Sequence, residues 1–212
     1  MAEVFTISAH FMKHRPTASH QAASAPRQLR IIGGTHKRSL LPVANLPGLR
    51  PTPDRVRETL FNWLGQDLAG WRCWDAFAGS GALGFEAASR GAREVVLVEL
   101  DAGQARALKQ TVARLKFEGV QVRAGDGLQA LSQARGSDWD VVFLDPPFAH
   151  PDWLEPALRA AAAATTPQGL CYLESEQPWH DAQLAPTGWC TLKSAKAGNV
   201  HYHLLEKITA TP

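Results

Sequence analysis

The sequence predicts an α/β fold, in which a mainly parallel sheet of seven strands is covered by helices on both faces. Short apolar runs alternate with helical patterns from about residue 71 onward, and this alternation is typical of parallel sheets. A glycine-rich segment connects the first of these runs to a helix, as in many ligand-binding α/β proteins. Acidic residues follow three successive strands, at the sheet edge where such proteins bind ligands.

The front of the chain is basic, whereas the rest is mildly acidic. Residues 1–60 contain nine Lys and Arg against three Asp and Glu, and the remaining residues contain thirteen against seventeen. Residues 1–26 show no periodicity, which predicts a disordered tail. Because much of the positive surplus lies beyond that tail, we expect the front of the molecule to contact a polyanion.

A small basic β-hairpin is predicted immediately after the tail. Residues 27–32 and 39–43 form two short strands, and Gly33-Gly34 supplies the turn. The chain is therefore divided into the tail, a hairpin extension over residues 27–50 and a core over residues 51–212. We expect residues 27–212 to form one domain and the protein to be a monomer.

The core elements follow one another in regular alternation. The first helix is predicted to start with Thr52 as N-cap and Pro53 at the first helical position, since these residue types favour those positions. Residues 189–193 and 200–205 alternate apolar and polar side chains, which predicts an antiparallel hairpin at the sheet edge. The other predicted strands span residues 73–77, 94–98, 120–124, 140–144 and 170–173. Helices are predicted from the end of the glycine-rich loop at Gly84 through Arg90, over residues 101–118 and over residues 151–164, with a short one after Asp126.

Composition narrows the class of protein. The chain is 45% hydrophobic and 20% charged, which is ordinary for a soluble globular protein. It has no apolar run of about 18 residues and no secretory signal at its start, so we expect a cytoplasmic location. Cys73, Cys171 and Cys190 form no CxxC pair and are predicted to be reduced and largely buried. His201 and His203 are predicted to be surface residues, and no metal site is expected.

The segment Gly79-Ser80-Gly81-Ala82-Leu83-Gly84 matches the GxGxxG pattern, with Glu99 about 20 residues further on. This pattern alone is compatible with a nicotinamide dinucleotide. Asp75 argues against that ligand, because a carboxylate four residues before the loop would repel a pyrophosphate but suit an ammonium group. S-adenosylmethionine has an amino group, a ribose and an adenine but no phosphate, so it suits acids placed after successive strands.

The tetrapeptide Asp145-Pro146-Pro147-Phe148 ends a buried strand with a stiff corner. Two prolines cannot continue the hydrogen-bond ladder, so the backbone leaves the sheet at Asp145. The corner offers a carboxylate, a main-chain carbonyl and an aromatic ring, which together suit an NH2 group on a flat heterocycle. Asp-Pro is also common in plain turns, so the tetrapeptide alone does not decide its role.

Several segments resemble a known family. Residues 75–84 and 145–148 are similar to amino-methyltransferases that use S-adenosylmethionine. Residues 30–34, 49–64 and 89–92 resemble the RsmD family, whose members are bacterial 16S rRNA guanine-N2 methyltransferases. The resemblance runs from about residue 27 to residue 207. It implies a Rossmann-like class I methyltransferase fold and a 16S rRNA substrate within the small ribosomal subunit.

The resemblance also implies roles for individual residues. Asp145, Pro146, Pro147 and Phe148 would be catalytic, and no residue would bind a metal. S-adenosylmethionine would be bound by Asp75, Phe77, Gly79, Ser80, Gly81, Glu99, Leu100, Asp126, Gly127 and Asp145. The RNA would be contacted by Arg27, Arg30, Lys37, Arg38, Arg50 and Arg55. The hairpin segment 35–39 departs from the Arg- and Gly-rich turn expected of the family, which puts the detailed RNA contacts in question.

Three other functions compete with this hypothesis. A DNA adenine-N6 methyltransferase could use the same corner, although the chain has little additional sequence for reading bases. An NAD-dependent oxidoreductase would explain the glycine segment and Glu99 but neither the corner nor the basic hairpin. A non-catalytic RNA-binding module would explain the hairpin but not the acidic residues after the strands.

Overall fold

The computed structural model describes residues 28–43 and 52–208, and its centre is one seven-stranded sheet with the order β5-β4-β3-β6-β7-β9-β8. The first five strands in this order are parallel, and β9 lies antiparallel between β7 and β8. The predicted sheet and its edge hairpin are therefore confirmed. The strands are β3 (Arg72–Asp75), β4 (Glu94–Glu99), β5 (Val120–Ala124), β6 (Trp139–Leu144), β7 (Thr165–Ser175), β8 (Trp189–Ala197) and β9 (Val200–Lys207).

Helices cover both faces of the sheet, as predicted. Successive side chains of a strand point to opposite faces, so Leu97 packs in one apolar cluster and Val96 in another. The first cluster includes residues of α1, α2 and α3, and the second includes residues of α4 and α5. The helices are α1 (Asp54–Trp63), α2 (Ala82–Ser89), α3 (Ala102–Leu115), α4 (Gly127–Gln133), α5 (Leu154–Ala164) and α6 (Asp181–Leu184).

The N-terminal hairpin packs on the first cluster. Its strands β1 (Gln28–Arg30) and β2 (Leu40–Pro42) pair antiparallel, and the side chains of Leu29 and Leu41 are buried. Gly33-Gly34 does more than supply a turn, because it docks against the end of α2. A Cβ at Gly34, whose φ is +72°, would lie 1.8 Å from the Ser89 carbonyl oxygen.

A buried ion pair, the Glu86–Arg57 clamp, joins α2 to α1. Both side chains are fully buried, and Arg57 Nη1 lies 3.3 Å from Glu86 Oε2. Glu86 also accepts hydrogen bonds from the backbone N–H groups of Ile32 (2.8 Å) and Gly33 (2.7 Å). Arg57 donates to the Arg30 carbonyl at 3.0 Å. The clamp therefore fixes the hairpin to the core through the hairpin's own backbone.

The start of α1 differs from the prediction. Pro53 occupies the N-cap position and α1 begins at Asp54, so the assignment of Thr52 as N-cap was wrong. Thr52 is instead 4% exposed, and its hydroxyl donates to Asp145 Oδ2 at 3.3 Å. A tertiary contact with the corner has replaced the local helix cap.

Burial of the cysteines and histidines follows the predictions only in part. All three cysteines are free thiols, with Cys73 and Cys171 buried and Cys190 partly exposed. The prediction of a surface His203 was wrong, since that side chain is 3% exposed and burial lowers its pKa to about 4. Over residues 28–43 and 52–208, no helix is long and apolar enough to cross a membrane. The same residues contain no group of three or more side chains that could hold a metal ion.

Candidate active site

Four acidic residues meet at one edge of the sheet, where the parallel strands end. Asp75 is the last residue of β3 and Glu99 the last of β4, while Asp145 directly follows β6. Glu174 lies near the end of β7. Because neighbouring parallel strands present their carboxyl ends together, these four side chains surround one region of the surface.

The glycine segment lies directly above this edge. Gly79 and Gly81 have φ values of +51° and +76°, which only glycine adopts readily. A Cβ at Gly84 would lie 2.1 Å from the Leu97 side chain, so this glycine permits close packing of α2 on β4. Glu99 accepts a hydrogen bond from the Gly79 N–H at 2.8 Å, and it thereby ties the loop to the end of β4.

Asp75 is a buried carboxyl beneath the glycine segment. Its side chain is 2% exposed and accepts a hydrogen bond from the Gly84 N–H at 3.1 Å. The pKa of Asp75 is raised to about 7, mainly by burial and to a smaller extent by the charge of Glu99, while backbone hydrogen bonds act in the opposite direction. Burial also raises the pKa of Glu99. A cation bound here would stabilise the ionised form of both groups.

The residues predicted to surround the far end of the cofactor lie around the ends of β4 and β5. Asp126 is exposed and caps α4 by accepting a hydrogen bond from the Gln129 N–H at 2.9 Å. Gly127 must be glycine, because a Cβ there would lie 1.9 Å from the Ala76 carbonyl oxygen and 3.2 Å from the Phe77 ring. Leu100 is 65% exposed, an unusually open position for a leucine beside polar groups.

The corner has the form that its prolines predict. Asp145 is half-buried, Pro146 is buried and Pro147 is exposed, while the Phe148 side chain is 37% exposed. Within the described ranges, no N–H group donates a hydrogen bond to the Pro146 carbonyl. The corner therefore combines a carboxylate, an uncommitted carbonyl and an accessible ring.

The environment of Asp145 disfavours its charge. Burial raises its pKa well above the ordinary value, and the charges of Glu174 and then Asp75 raise it further. The hydrogen bond from Thr52 acts in the opposite direction. Such shifts are common where acidic groups are arranged for chemistry.

Glu174 was missed by the sequence analysis. It is 4% exposed and accepts a hydrogen bond from the Tyr172 hydroxyl at 2.7 Å. Burial raises its pKa, and the hydroxyls of Tyr172 and Thr52 oppose that shift. The signal was present, because Glu174 directly follows the predicted strand over residues 170–173, as Asp145 follows its own strand.

The basic residues predicted to contact RNA lie on or beside the hairpin. Lys37, Arg38 and Arg55 are exposed. Arg30 is also exposed, and its Nε lies 3.3 Å from Asp54 Oδ2. The two remaining residues in this group, Arg27 and Arg50, lie outside the described residues, as does the predicted tail over residues 1–26.

Comparison with known proteins shows to which family the chain is related. A family model described as "Conserved hypothetical protein 95" matches residues 29–206. The Haemophilus influenzae protein named "Ribosomal RNA small subunit methyltransferase D" is 41% identical over 191 residues, which are 88% of this chain and 97% of that protein.

The chain belongs to the RsmD family. A second member with the same name, from Escherichia coli, is 39% identical over 186 residues, which are 87% of this chain and 92% of that protein. The resemblance predicted from residues 30–34, 49–64 and 89–92 is thereby confirmed.

Solved structures support the same relationship. The Escherichia coli protein yhhF superposes with a TM-score of 0.74 at 39% identity, covering 85% of this chain and 98% of that one. A solved methylase-type protein of Haemophilus influenzae gives a TM-score of 0.71 at 38% identity, covering 86% and 100%. TrmN from Thermus thermophilus shares the fold alone, with a TM-score of 0.58 at 20% identity over 72% of this chain and 48% of that one. The predicted class I methyltransferase fold is confirmed.

Proposed function

We propose that this chain is an S-adenosylmethionine-dependent enzyme that methylates the exocyclic N2 of a guanine in 16S ribosomal RNA of the small subunit. The observation that carries the proposal is the corner formed by Asp145, Pro146 and Phe148. This corner lies at the sheet edge where the glycine segment meets the acidic residues at the ends of the strands. The family members from two bacteria that are named small subunit methyltransferases support the substrate class.

The side chains around the strand ends fit S-adenosylmethionine. Burial raises the pKa of Asp75 and of Glu99, so a ligand with an ammonium and a sulfonium group would offset the cost of their charges. A pyrophosphate would increase that cost, which argues against a nicotinamide dinucleotide. Glu99 would accept hydrogen bonds from ribose hydroxyls, and the exposed Leu100 would cover one face of the adenine.

The remaining cofactor residues act mainly by shape. Gly79, Ser80 and Gly81 would form the wall along the amino-acid part of the ligand. Phe77 and Gly127 lie against each other and would border the adenine together with Asp126. When bound, S-adenosylmethionine supplies an activated methyl group.

The corner would prepare the amine of guanine for attack. Its lone pair is delocalised into the ring, so the amine is a poor nucleophile until its N–H bonds are held. Asp145 and the Pro146 carbonyl would accept these two N–H groups and direct the lone pair, with Pro147 keeping the backbone stiff and Phe148 stacking on the base. Orientation and stabilisation of the positive charge that develops on nitrogen would then provide the catalysis. The methylated amine loses a proton after transfer.

The hairpin would hold the RNA around this base. Residues 27–50 form the RNA-contacting extension of a single domain, and residues 51–212 form the catalytic core. Exposed Lys37, Arg38, Arg30 and Arg55 would contact phosphates, which position the substrate without reading its sequence. The target guanine must be unstacked to enter the corner. We place this activity in the cytoplasm and assign it to a monomer.

The experiment is transfer of a labelled methyl group from S-adenosylmethionine to small ribosomal subunits that lack the modification. Naked 16S RNA and duplex DNA are tested in parallel, and the products are digested to nucleosides. We expect N2-methylguanosine with the wild type and none with Asp145→Ala, whereas exposed Asp152→Ala retains activity as the matched control.

Two results would overturn the proposal. Label recovered as N6-methyladenine in DNA would keep the fold and the cofactor but reject the substrate. An Asp145→Ala variant that produces N2-methylguanosine at the wild-type rate would reject the role of the corner.

A further inference from the structure

Glu174 lies beside Asp145 at the candidate site. Leu144 and Leu173 are partners in the parallel pair of β6 and β7, so the residues that follow them, Asp145 and Glu174, stand next to each other. A glutamate that is 4% exposed usually requires a partner for its charge. Among the described residues, no Lys, Arg or His forms an ion pair with either carboxyl.

Each carboxyl is bound by a neutral hydroxyl instead of a cation. Thr52 Oγ1 donates to Asp145 Oδ2 at 3.3 Å, and the Tyr172 hydroxyl donates to Glu174 Oε1 at 2.7 Å. A neutral hydroxyl cannot offset the repulsion between two neighbouring carboxylates, so ionising both groups at once is costly. The arrangement therefore suits a pair of carboxyls that holds one proton.

We propose that Glu174 is a positioning residue for Asp145, and that the two neighbouring carboxyls hold a single proton between them in the free protein. Asp145 becomes a full acceptor for the amine only when this proton leaves. The catalytic consequence rests on the proposed function, whereas the shared proton is a property of the protein alone.

The surroundings of the pair agree with this assignment. Asp75 on β3 is the other acidic group whose charge acts on Asp145, and it opposes ionisation of the pair. Tyr172 on β7 donates its hydroxyl to Glu174 at 2.7 Å. The buried cation of α1, Arg57, donates to the Thr52 carbonyl at 3.3 Å and is paired with Glu86. Two interacting carboxyls in such a site titrate as a pair, with one proton leaving at a raised pH.

The first test measures the protonation of Asp145 without any substrate. The carboxyl carbon of Asp145 is followed by NMR from acid to neutral pH in protein labelled on aspartate, and its signal is assigned by its loss in Asp145→Asn. In Glu174→Gln, which keeps the side-chain shape and the Tyr172 contact, we expect the pKa of Asp145 to fall by at least about one pH unit. The matched control Glu176→Gln removes an exposed charge two residues along the chain and should leave the pKa unchanged.

The second test measures methyl transfer as a function of pH. In the wild type, kcat should decrease on the acid side as the pair takes up its proton, and in Glu174→Gln this decrease should move to lower pH by the same amount as the pKa of Asp145. Thr52→Val, which lacks the hydroxyl but keeps the shape, should reduce kcat with little change in the KM for the cofactor. Thr52→Ser keeps the hydroxyl and should therefore have a kcat close to that of the wild type. Circular dichroism confirms that each variant is folded.

The outcomes separate the two proposals. An unchanged pKa of Asp145 in folded Glu174→Gln would overturn the shared proton, whatever the activity. A lowered pKa in a protein that transfers no methyl group to guanine would support the pair and reject the proposed function. Equal pH profiles for the wild type and Glu174→Gln, despite a lowered pKa, would reject the link between the pair and catalysis.

Discussion

Replacing Glu86 by glutamine tests whether the Glu86–Arg57 clamp holds the hairpin on the core. Glu86 is fully buried and accepts hydrogen bonds from the backbone N–H groups of Ile32 and Gly33 at 2.8 and 2.7 Å, as well as from Arg57 at 3.3 Å. Glutamine has nearly the same shape, but it replaces one acceptor oxygen with an NH2 group and removes the charge. A donor would then face other donors. Arg57 and Arg90 would both lose the buried carboxylate that they contact at 3.3 and 2.9 Å, and Arg57 would keep only its ion pair with the partly exposed Asp54 at 2.6 Å.

The magnitude follows from these contacts. Removing one partner of a buried ion pair costs about 3–5 kcal/mol, a large part of the roughly 5–15 kcal/mol that stabilises a typical domain. For a chain of this size we expect Glu86→Gln to lower Tm by on the order of 10 °C. The amides of Ile32 and Gly33 should also exchange with solvent faster, because they lose their acceptor.

Thermal unfolding followed by circular dichroism, together with hydrogen exchange, measures both effects. The matched control is Glu155→Gln, because Glu155 pairs with Arg159 on the surface, where the two side chains are 58% and 52% exposed. An exposed pair contributes about 0–1 kcal/mol, so Tm should hardly change. If Glu86→Gln has the same Tm as the control and its Gly33 amide remains protected from exchange, the clamp does not hold the hairpin on the core.

Two further predictions concern the hairpin. In equilibrium denaturation, Gly34→Ala should lower the free energy of unfolding by more than Gly70→Ala. Both glycines have positive φ, of +72° and +81°, but only at Gly34 would the new Cβ meet a backbone oxygen, at 1.8 Å. Equal losses of stability would contradict the docking of the hairpin on α2. Replacing the exposed Lys37 and Arg38 by glutamine should weaken RNA binding. The slope of the logarithm of the binding constant against the logarithm of salt concentration should decrease in magnitude by about 0.7–0.9 for each phosphate that the protein no longer neutralises. Replacing the exposed Arg135 by glutamine is the control and should leave the slope unchanged, whereas an unchanged slope in the Lys37 and Arg38 double variant would exclude these side chains from the RNA surface.

Local patterns were sufficient to predict most of the fold. The order of strands and helices, the glycine segment and the acidic residues after strands all depend on residues close together in the chain. β-branched runs, glycine turns and helix caps such as Asp101 and Asp126 act over a few residues, so periodicity and turn chemistry identify them. The edge hairpin of β8 and β9 could be predicted for the same reason.

Predictions were incomplete where a distant partner determines the environment of a residue. Thr52 was predicted to cap a helix, but its hydroxyl bonds Asp145, 93 residues away. Arg57 was given no role of its own, yet it is fully buried and forms an ion pair with Glu86, which lies 29 residues further on. His203 was predicted to be exposed and Glu174 was passed over, because burial depends on what packs against a strand and not on the strand's own sequence.

The sequence by itself therefore determined the α/β architecture, the family and the edge of the sheet at which the chemistry is proposed. These follow from short-range propensities and from motifs with fixed spacing. Only the tertiary structure decided which carboxyls are desolvated, which hydroxyl binds Asp145 and how the hairpin is anchored. Desolvation and pairing of charges depend on all the elements that surround a group, and those elements come together only when the chain has folded.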